Sequence, residues 1–234
     1  LFRSKKCGIR LDSGDIAYLS RRARKMLDEA GWTECTITVS NSLDEYLIQD
    51  LWMQDAKIDA FGVGERLITA KSEPVFGCVY KLVAVEDKDG NIVPKIKISE
   101  NVGKITTPHF KKLYRFYGRD TGKAIADYLT VYDETVDDSQ NLEIFDPDAT
   151  WKRKEVYHFE ARELLVPIYQ KGKLVYKRPG IEEIKKYCAE QVDTLWDEVK
   201  RFDNPHNYYV DLSQKLYDIK TELLNEKNER YEKN

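Results

Sequence analysis

Three short clusters in this 234-residue sequence carry residue types suited to holding a polar, anionic ligand: Arg10, Asp12, Ser13 and Asp15; Ser40, Asn41 and Ser42; and Gly62, Gly64 and Glu65. A carboxylate closing an apolar run, as Asp12 does, offers the hard oxygen acceptors that a ribose diol or a hydrated magnesium ion requires. The same residue could instead cap the helix that follows. Asp15, directly before Ile16, reads as that cap. Arg10, two residues before Asp12, projects from the same strand face, where its guanidinium fork suits a carboxylate or a phosphate; the alternative is an ion pair with Asp12. The GVG segment has no side chain at two positions, so its backbone can approach an anion closely; equally, such glycines serve tight turns.

These clusters gain meaning from the elements that must position them. Residues 7–66 alternate short β-rich runs with helix-period segments. Residues 7–12 (CGIRLD), 35–40 (CTITVS) and 57–61 (KIDAF) read as strands. Ile16, Leu19, Ala23, Met26, Leu27 and Ala30 mark one face of an intervening helix, which Gly31 stops. Ser42 and Glu45 have the spacing of a capping box opening the next helix. Parallel strands joined by right-handed crossovers send their carboxyl ends to one rim, so all three clusters are expected to share a single mouth.

Beyond Pro74 the pattern changes. Residues 79–86 and 92–99 flank a turn-rich DKDGN and predict a hairpin. Further β-prone stretches lie at 113–117, 125–132 and 164–169, the last pairing with 174–177. Helices are expected over 181–200 and 210–228, the latter with an apolar stripe of Leu212, Leu216, Ile219 and Leu223. The fold class is therefore α/β, with residues 1–107 forming parallel strand-helix units and residues 108–234 a mixed β-plus-helix region.

Composition narrows the partners. With 41% hydrophobic residues, 15 Tyr and 4 Trp the chain is globular, and a net charge of −3 gives no basic footprint for nucleic acid. No apolar run reaches the roughly 20 residues of a membrane helix. Cys7, Cys35, Cys78 and Cys188 are too far apart for a metal-ligand pattern and read as free thiols, which points to the cytoplasm. His109, His158 and His206 adjoin no nucleophile or carboxylate arrangement and read as structural or surface residues, as do Tyr208 and Tyr209. Spacing alone names no catalytic acid or nucleophile.

GIRLDSGDIAYLSRRARKMLDEAG, SNSLDEYLI, KIDAFGVGERLITA, VYKLVAVE, ISEN, ARELLVPIYQKGKLVY and NPHNYYVDLS together resemble the C-terminal half of bacterial nicotinate phosphoribosyltransferases over nearly the whole chain. The resemblance implies part of an irregular (β/α) barrel followed by a sandwich-type region. It also implies transfer of a phosphoribosyl group from phosphoribosyl pyrophosphate (PRPP) to nicotinate, with Mg2+ required, ATP hydrolysis coupled, and a homodimer as the working form. On it, Arg10 corresponds to the arginine that reads the nicotinate carboxylate, Asp12 and Ser13 line the phosphoribosyl pocket with Asp12 beside the metal, and Gly62 and Gly64 serve the 5-phosphate. Ser40 and Asn41 share that rim. Many relatives have Thr where Glu65 stands, so Glu65 is expected to turn away from the phosphate. The family's phosphorylated histidine and its ring-sandwiching aromatics correspond to no position in this sequence. With Leu1 rather than Met at the start, they are expected in an N-terminal half of the same enzyme, and the chain alone is expected to be inactive. The rival readings are a phosphoribosyltransferase for another pyridine, and a non-catalytic PRPP-binding or assembly module.

Overall fold

The computed structural model describes residues 6–232; Leu1, on which the expectation of an upstream half draws, lies outside them. Contacts group the chain into two compact units, one reaching Val79 and the other beginning at Tyr80.

In the first unit, β1 (Gly8–Leu11), β2 (Thr36–Ser40) and β3 (Ala60–Gly62) form a parallel sheet in that order, with α1 (Ile16–Glu29) and α2 (Glu45–Met53) in the two intervals and α3 (Glu65–Ile68) following β3. Cross-strand partners are Arg10 with Thr38, Leu11 with Val39, and Ser40 with Gly62. Ile37 and Val39 are fully buried, and Ile16, Ala17, Leu43 and Leu51 close over them. That apolar burial is what fixes the helices to the sheet.

Asp15 caps α1 as expected, its Oδ1 accepting from the Tyr18 amide at 2.9 Å, and Gly31 follows the helix at φ +77°. The capping box at Ser42 does not form. Asp44 is the N-cap instead, accepting from the Leu47 amide at 2.8 Å, while Asn41 and Ser42 take φ values of +121° and +34°. Those left-handed conformations hold Ser42 out of the helix, and a carboxylate one residue before Glu45 is an equally good cap. The third strand also begins later than the 57–61 reading. The Lys57 amide donates to the buried Ser20 hydroxyl at 3.1 Å, and the Asp59 amide donates to the Ile37 carbonyl at 2.9 Å while its side chain, in place of a backbone carbonyl, accepts from the Ile37 amide at 2.7 Å, so the regular ladder starts only at Ala60.

The second unit contains the hairpin β4 (Ala84–Glu86) and β5 (Ile92–Pro94), the long strands β6 (Lys111–Gly118) and β7 (Ala124–Val131), the hairpin β8 (Leu142–Phe145) and β9 (Arg153–Val156), and β10 (Phe159–Glu163). There follow a two-residue pair, β11 (Tyr169–Gln170) with β12 (Lys173–Leu174), then α4 (Ile181–Asp193), α5 (Asp197–Lys200), β13 (Val210–Leu212) and α6 (Gln214–Glu232). Its main sheet runs β10-β6-β7-β13, antiparallel except for the parallel β7–β13 pair. Phe116 and Phe159, both fully buried with ring centroids 4.7 Å apart, centre the core beneath it. Truncating either to Ala costs about 3–5 kcal/mol.

The first hairpin is shorter than expected, ending at Pro94, which has no amide to donate. The 164–169 strand shrinks to Tyr169–Gln170 beyond Pro167. The helix expected over 181–200 breaks after Asp193: the Thr194 carbonyl accepts from the Ala124 amide at 2.8 Å and the Trp196 indole donates to the Ala124 carbonyl at 3.0 Å, so this turn is recruited to extend the sheet edge. The helix expected from 210 begins at 214, because Val210–Leu212 pairs with β7 and Ser213 then opens α6. In both places tertiary pairing overrides helical periodicity.

Candidate functional site

The carboxyl ends of β1, β2 and β3 meet at a cleft of about 270 Å³ lined by Arg10, Asp12, Ser40, Asn41, Ser42, Leu43, Gly62, Gly64, Glu65 and Arg66. The three sequence clusters thus share one mouth. Ser13 and Asp15 are not among the lining residues.

A closed triangle of hydrogen bonds organises one side. Arg10 Nε donates to Ser40 Oγ at 2.7 Å, Ser40 Oγ donates to Asp12 Oδ1 at 2.7 Å, and Arg10 Nη2 reaches the same Oδ1 at 3.0 Å. The period of two in β1 puts Arg10 and Asp12 on one face, and the parallel register brings Ser40 beside them. The Ser40 hydroxyl, and then the Arg10 charge, hold the Asp12 carboxyl below the usual carboxylate range. Asp12 is therefore an ionised acceptor near neutral pH and a poor general base. Both residues of the ion pair keep more than half of their side-chain surface exposed, so the pair remains open to a ligand. Arg10 Nη1 and Asp12 Oδ2 lie outside the triangle.

Across the cleft, Gly62 stands against Ser40: a Cβ there would lie 3.4 Å from the Ser40 Cβ, leaving room for a methyl group but little more. A Cβ on Gly64 would meet nothing within 4 Å. Packing therefore does not require Gly64, and the open space beside it suits the close approach of a ligand. The first turn of α3 adds amides with no partner inside the helix.

Arg66 and Asp44 were missed by the sequence reading. Arg66 lines the cleft and pairs with Asp44, whose other oxygen caps α2. One carboxylate thereby ties the start of α2 to α3. The available signal was a basic residue in the first helical turn after GVG. The arrangement as a whole offers two guanidinium groups, an ionised carboxylate, hydroxyls and glycine amides, which matches a ligand bearing both hydroxyl and anionic groups. No cluster of three or more His, Cys, Asp or Glu with metal-ligand geometry occurs among the described residues. A magnesium ion at Asp12 would thus take one protein carboxylate and complete its shell with water and ligand oxygens, the usual habit of Mg2+.

None of the three histidines reaches this cleft. His109 Nδ1 accepts from the Phe110 amide at 2.9 Å, His158 Nε2 lies 3.1 Å from Asp120 at the surface, and His206 packs edge-on against Tyr209. The four cysteines are free thiols, and no helix of the described residues is long and apolar enough to cross a membrane.

A parallel strand-helix sheet whose carboxyl ends open on a polar cleft defines an α/β protein with its candidate site at the strand ends. A family model described as the nicotinate phosphoribosyltransferase C-terminal domain matches residues 110–220. Nicotinate phosphoribosyltransferase of Bacillus subtilis (strain 168) is 46% identical over 225 residues, covering 96% of this chain and 46% of the relative; nicotinate phosphoribosyltransferase 2 of Arabidopsis thaliana is 37% identical, covering 93% and 40%. The crystal structure of human nicotinic acid phosphoribosyltransferase superposes with a TM-score of 0.67 at 24% identity, over 94% of this chain and 40% of that one, which establishes the mixed α/β fold. Residues 110–220 thus match the C-terminal domain of the nicotinate phosphoribosyltransferase family, and the chain is similar over most of its length to members of that family while spanning less than half of theirs.

Proposed function

We propose that the chain is the C-terminal portion of an enzyme that joins nicotinate to PRPP, giving nicotinate mononucleotide and pyrophosphate in NAD salvage. The observation that carries the reading is the Arg10–Ser40–Asp12 triangle facing Gly62 and Gly64 across one cleft, in a chain 46% identical to a nicotinate phosphoribosyltransferase over 96% of its length. The pyridine nitrogen forms a bond to the anomeric carbon of PRPP. The bond from that carbon to the pyrophosphate oxygen breaks, its electron pair leaves with pyrophosphate, and positive charge builds on the ribose ring between the two events.

In this reading the Gly62 and Gly64 backbone anchors the 5-phosphate, with Ser40 and Asn41 along the phosphoribosyl rim, and Arg10 offers Nη1 to the nicotinate carboxylate while its other nitrogens stay tied to Ser40 and Asp12. Asp12 contributes one carboxylate oxygen toward Mg2+, which supplies charge neutralisation on pyrophosphate. Positioning and electrostatic complementarity carry such a reaction when no protein nucleophile takes part. ATP hydrolysis, coupled through a histidine of an N-terminal half, and a homodimeric, cytoplasmic enzyme complete the proposal.

An irregular barrel also belongs to this reading. It is supported by the sheet itself: β1 and β3 are both edges of a three-stranded parallel sheet, and parallel sheets seldom stand so short with open edges.

The test is Arg10→Ala in the complete enzyme. Losing a charge-assisted contact of about 1.5–3 kcal/mol raises the nicotinate KM roughly 10- to 100-fold while moving the PRPP KM far less. Equal losses for both substrates would remove Arg10 from the nicotinate carboxylate.

A further inference from the structure

A second polar cavity lies in the second unit, remote in sequence from the β1–β3 cleft. An inner chamber of about 180 Å³ has apolar walls that include Ile144 and Phe145, and Asp211 lines it. Asp211 is only 4% exposed, yet its carboxylate makes no hydrogen bond or ion pair among the described residues. The little surface this carboxylate keeps opens into the chamber it lines, and a poorly hydrated acceptor placed there favours a donor supplied from outside the chain.

The inner chamber shares Ile125, Lys154 and Tyr209 with an outer chamber of about 480 Å³ that also holds Trp196 and Arg201. Lys154 likewise makes no hydrogen bond or ion pair among the described residues, although its charge is felt at Asp211. The frame is rigid: the Trp196 indole is fixed by its bond to the Ala124 carbonyl, and Tyr208, on the same wall, is fixed by its bond to Asp127. The groove thus presents an unpartnered acceptor between apolar walls in the inner chamber, a free ammonium shared by both chambers, and in the outer one Arg201 and the Trp196 indole together with the Glu198 carboxylate.

We propose that this two-chamber groove binds a nucleoside 5′-monophosphate, with the amino group of the base donating to Asp211 in the inner chamber and the phosphate meeting Lys154 and Arg201 in the outer one. Lone inorganic phosphate is the competing occupant, because Lys152, Arg153 and Lys154 line the inner chamber together with Asp211 and Asp146; it would leave the Asp211 carboxylate without a donor. A simple amine would leave Lys154 and Arg201 unused. A flat, donor-bearing heterocycle carrying a phosphate satisfies both ends and covers the apolar walls between them. The site is independent of the phosphoribosyl cleft proposed above.

Calorimetric titration of the full 234-residue chain with AMP, adenosine and inorganic phosphate tests this. AMP is expected to bind saturably at one site, with adenosine and inorganic phosphate each at least tenfold weaker. Asp211→Leu weakens AMP and adenosine together, Lys154→Ala weakens AMP but not adenosine, and Asp12→Asn leaves AMP affinity unchanged. Lys154 is on the surface, so its variant reports even where Asp211→Leu fails to fold. Absence of saturable AMP binding, phosphate binding as tightly as AMP, or AMP binding that responds to Asp12→Asn and not to Lys154→Ala would each overturn the proposal. The last outcome would place the nucleotide in the β1–β3 cleft and leave that cleft's own reading intact.

Discussion

At the scale of single residues, the two carboxylates that matter most are perturbed in opposite directions. Asp12 is pulled down by a hydroxyl and a guanidinium, whereas burial, with Asp146 adding repulsion and Lys154 opposing, pushes Asp211 up to about 6. The native state then binds more protons than the unfolded chain between the ordinary carboxyl value near 3.8 and about 6. Stability from this group is therefore complete below the lower value and is lost as pH rises through the upper one. Asp211→Asn removes a penalty of at most roughly 3 kcal/mol at pH 7.5. Its melting temperature should exceed the parent's by several degrees there and by much less at pH 4.5; a difference independent of pH would show that the carboxylate carries no such cost. Asp12, Ser40 and Gly62 were legible in sequence because each ends an apolar run. Asp211 was not, since the same four letters, VDLS, fit a helix until the partner strand is known.

At the scale of elements, the β6–β7 pair shows how a sheet handles charge. Arg115 sits opposite Asp127 on β7 and opposite Arg162 on β10. Asp127 takes it bidentately at 2.7 and 2.9 Å and also accepts from the Tyr208 hydroxyl at 3.0 Å. This hydrogen bond to Asp127 raises the Arg115 pKa, while burial and the Asp127 charge raise that of Tyr208. Removing the arginine alone strands a carboxylate that is 11% exposed. Arg115→Ala is expected to cost about 3–5 kcal/mol in chemical denaturation, and adding Asp127→Asn should recover part of it. A loss below 1 kcal/mol would mean that solvent already screens the pair. The long strands could be anticipated from their aromatic and β-branched content. The short ones, β8, β9 and β13, exist through pairing that no local period announces, and the same competition splits the helix expected at 181–200.

At the scale of the whole molecule, each unit carries large apolar side chains into solvent: Ile68, Val75 and Phe76 in the first, with Phe76 97% exposed, and Tyr80 and Trp151 in the second, with Tyr80 96% exposed. Together with the open edges of the parallel sheet, this predicts concentration-dependent self-association of the 234-residue chain in sedimentation velocity. A monomer at every concentration tested would show that these side chains are tolerated bare. The buried serine of α1 carries a less obvious consequence. Ser20 accepts from the Lys57 amide just before β3 begins, and three residues of strand then deliver Gly62 to the cleft. Ser20 therefore acts as a length standard for the strand, set at the opposite end of the sheet from any ligand. Its loss would leave every cleft side chain chemically intact and shift where the glycines fall. The placing of the cleft glycines is thus tied to a hydroxyl buried under the far end of the sheet.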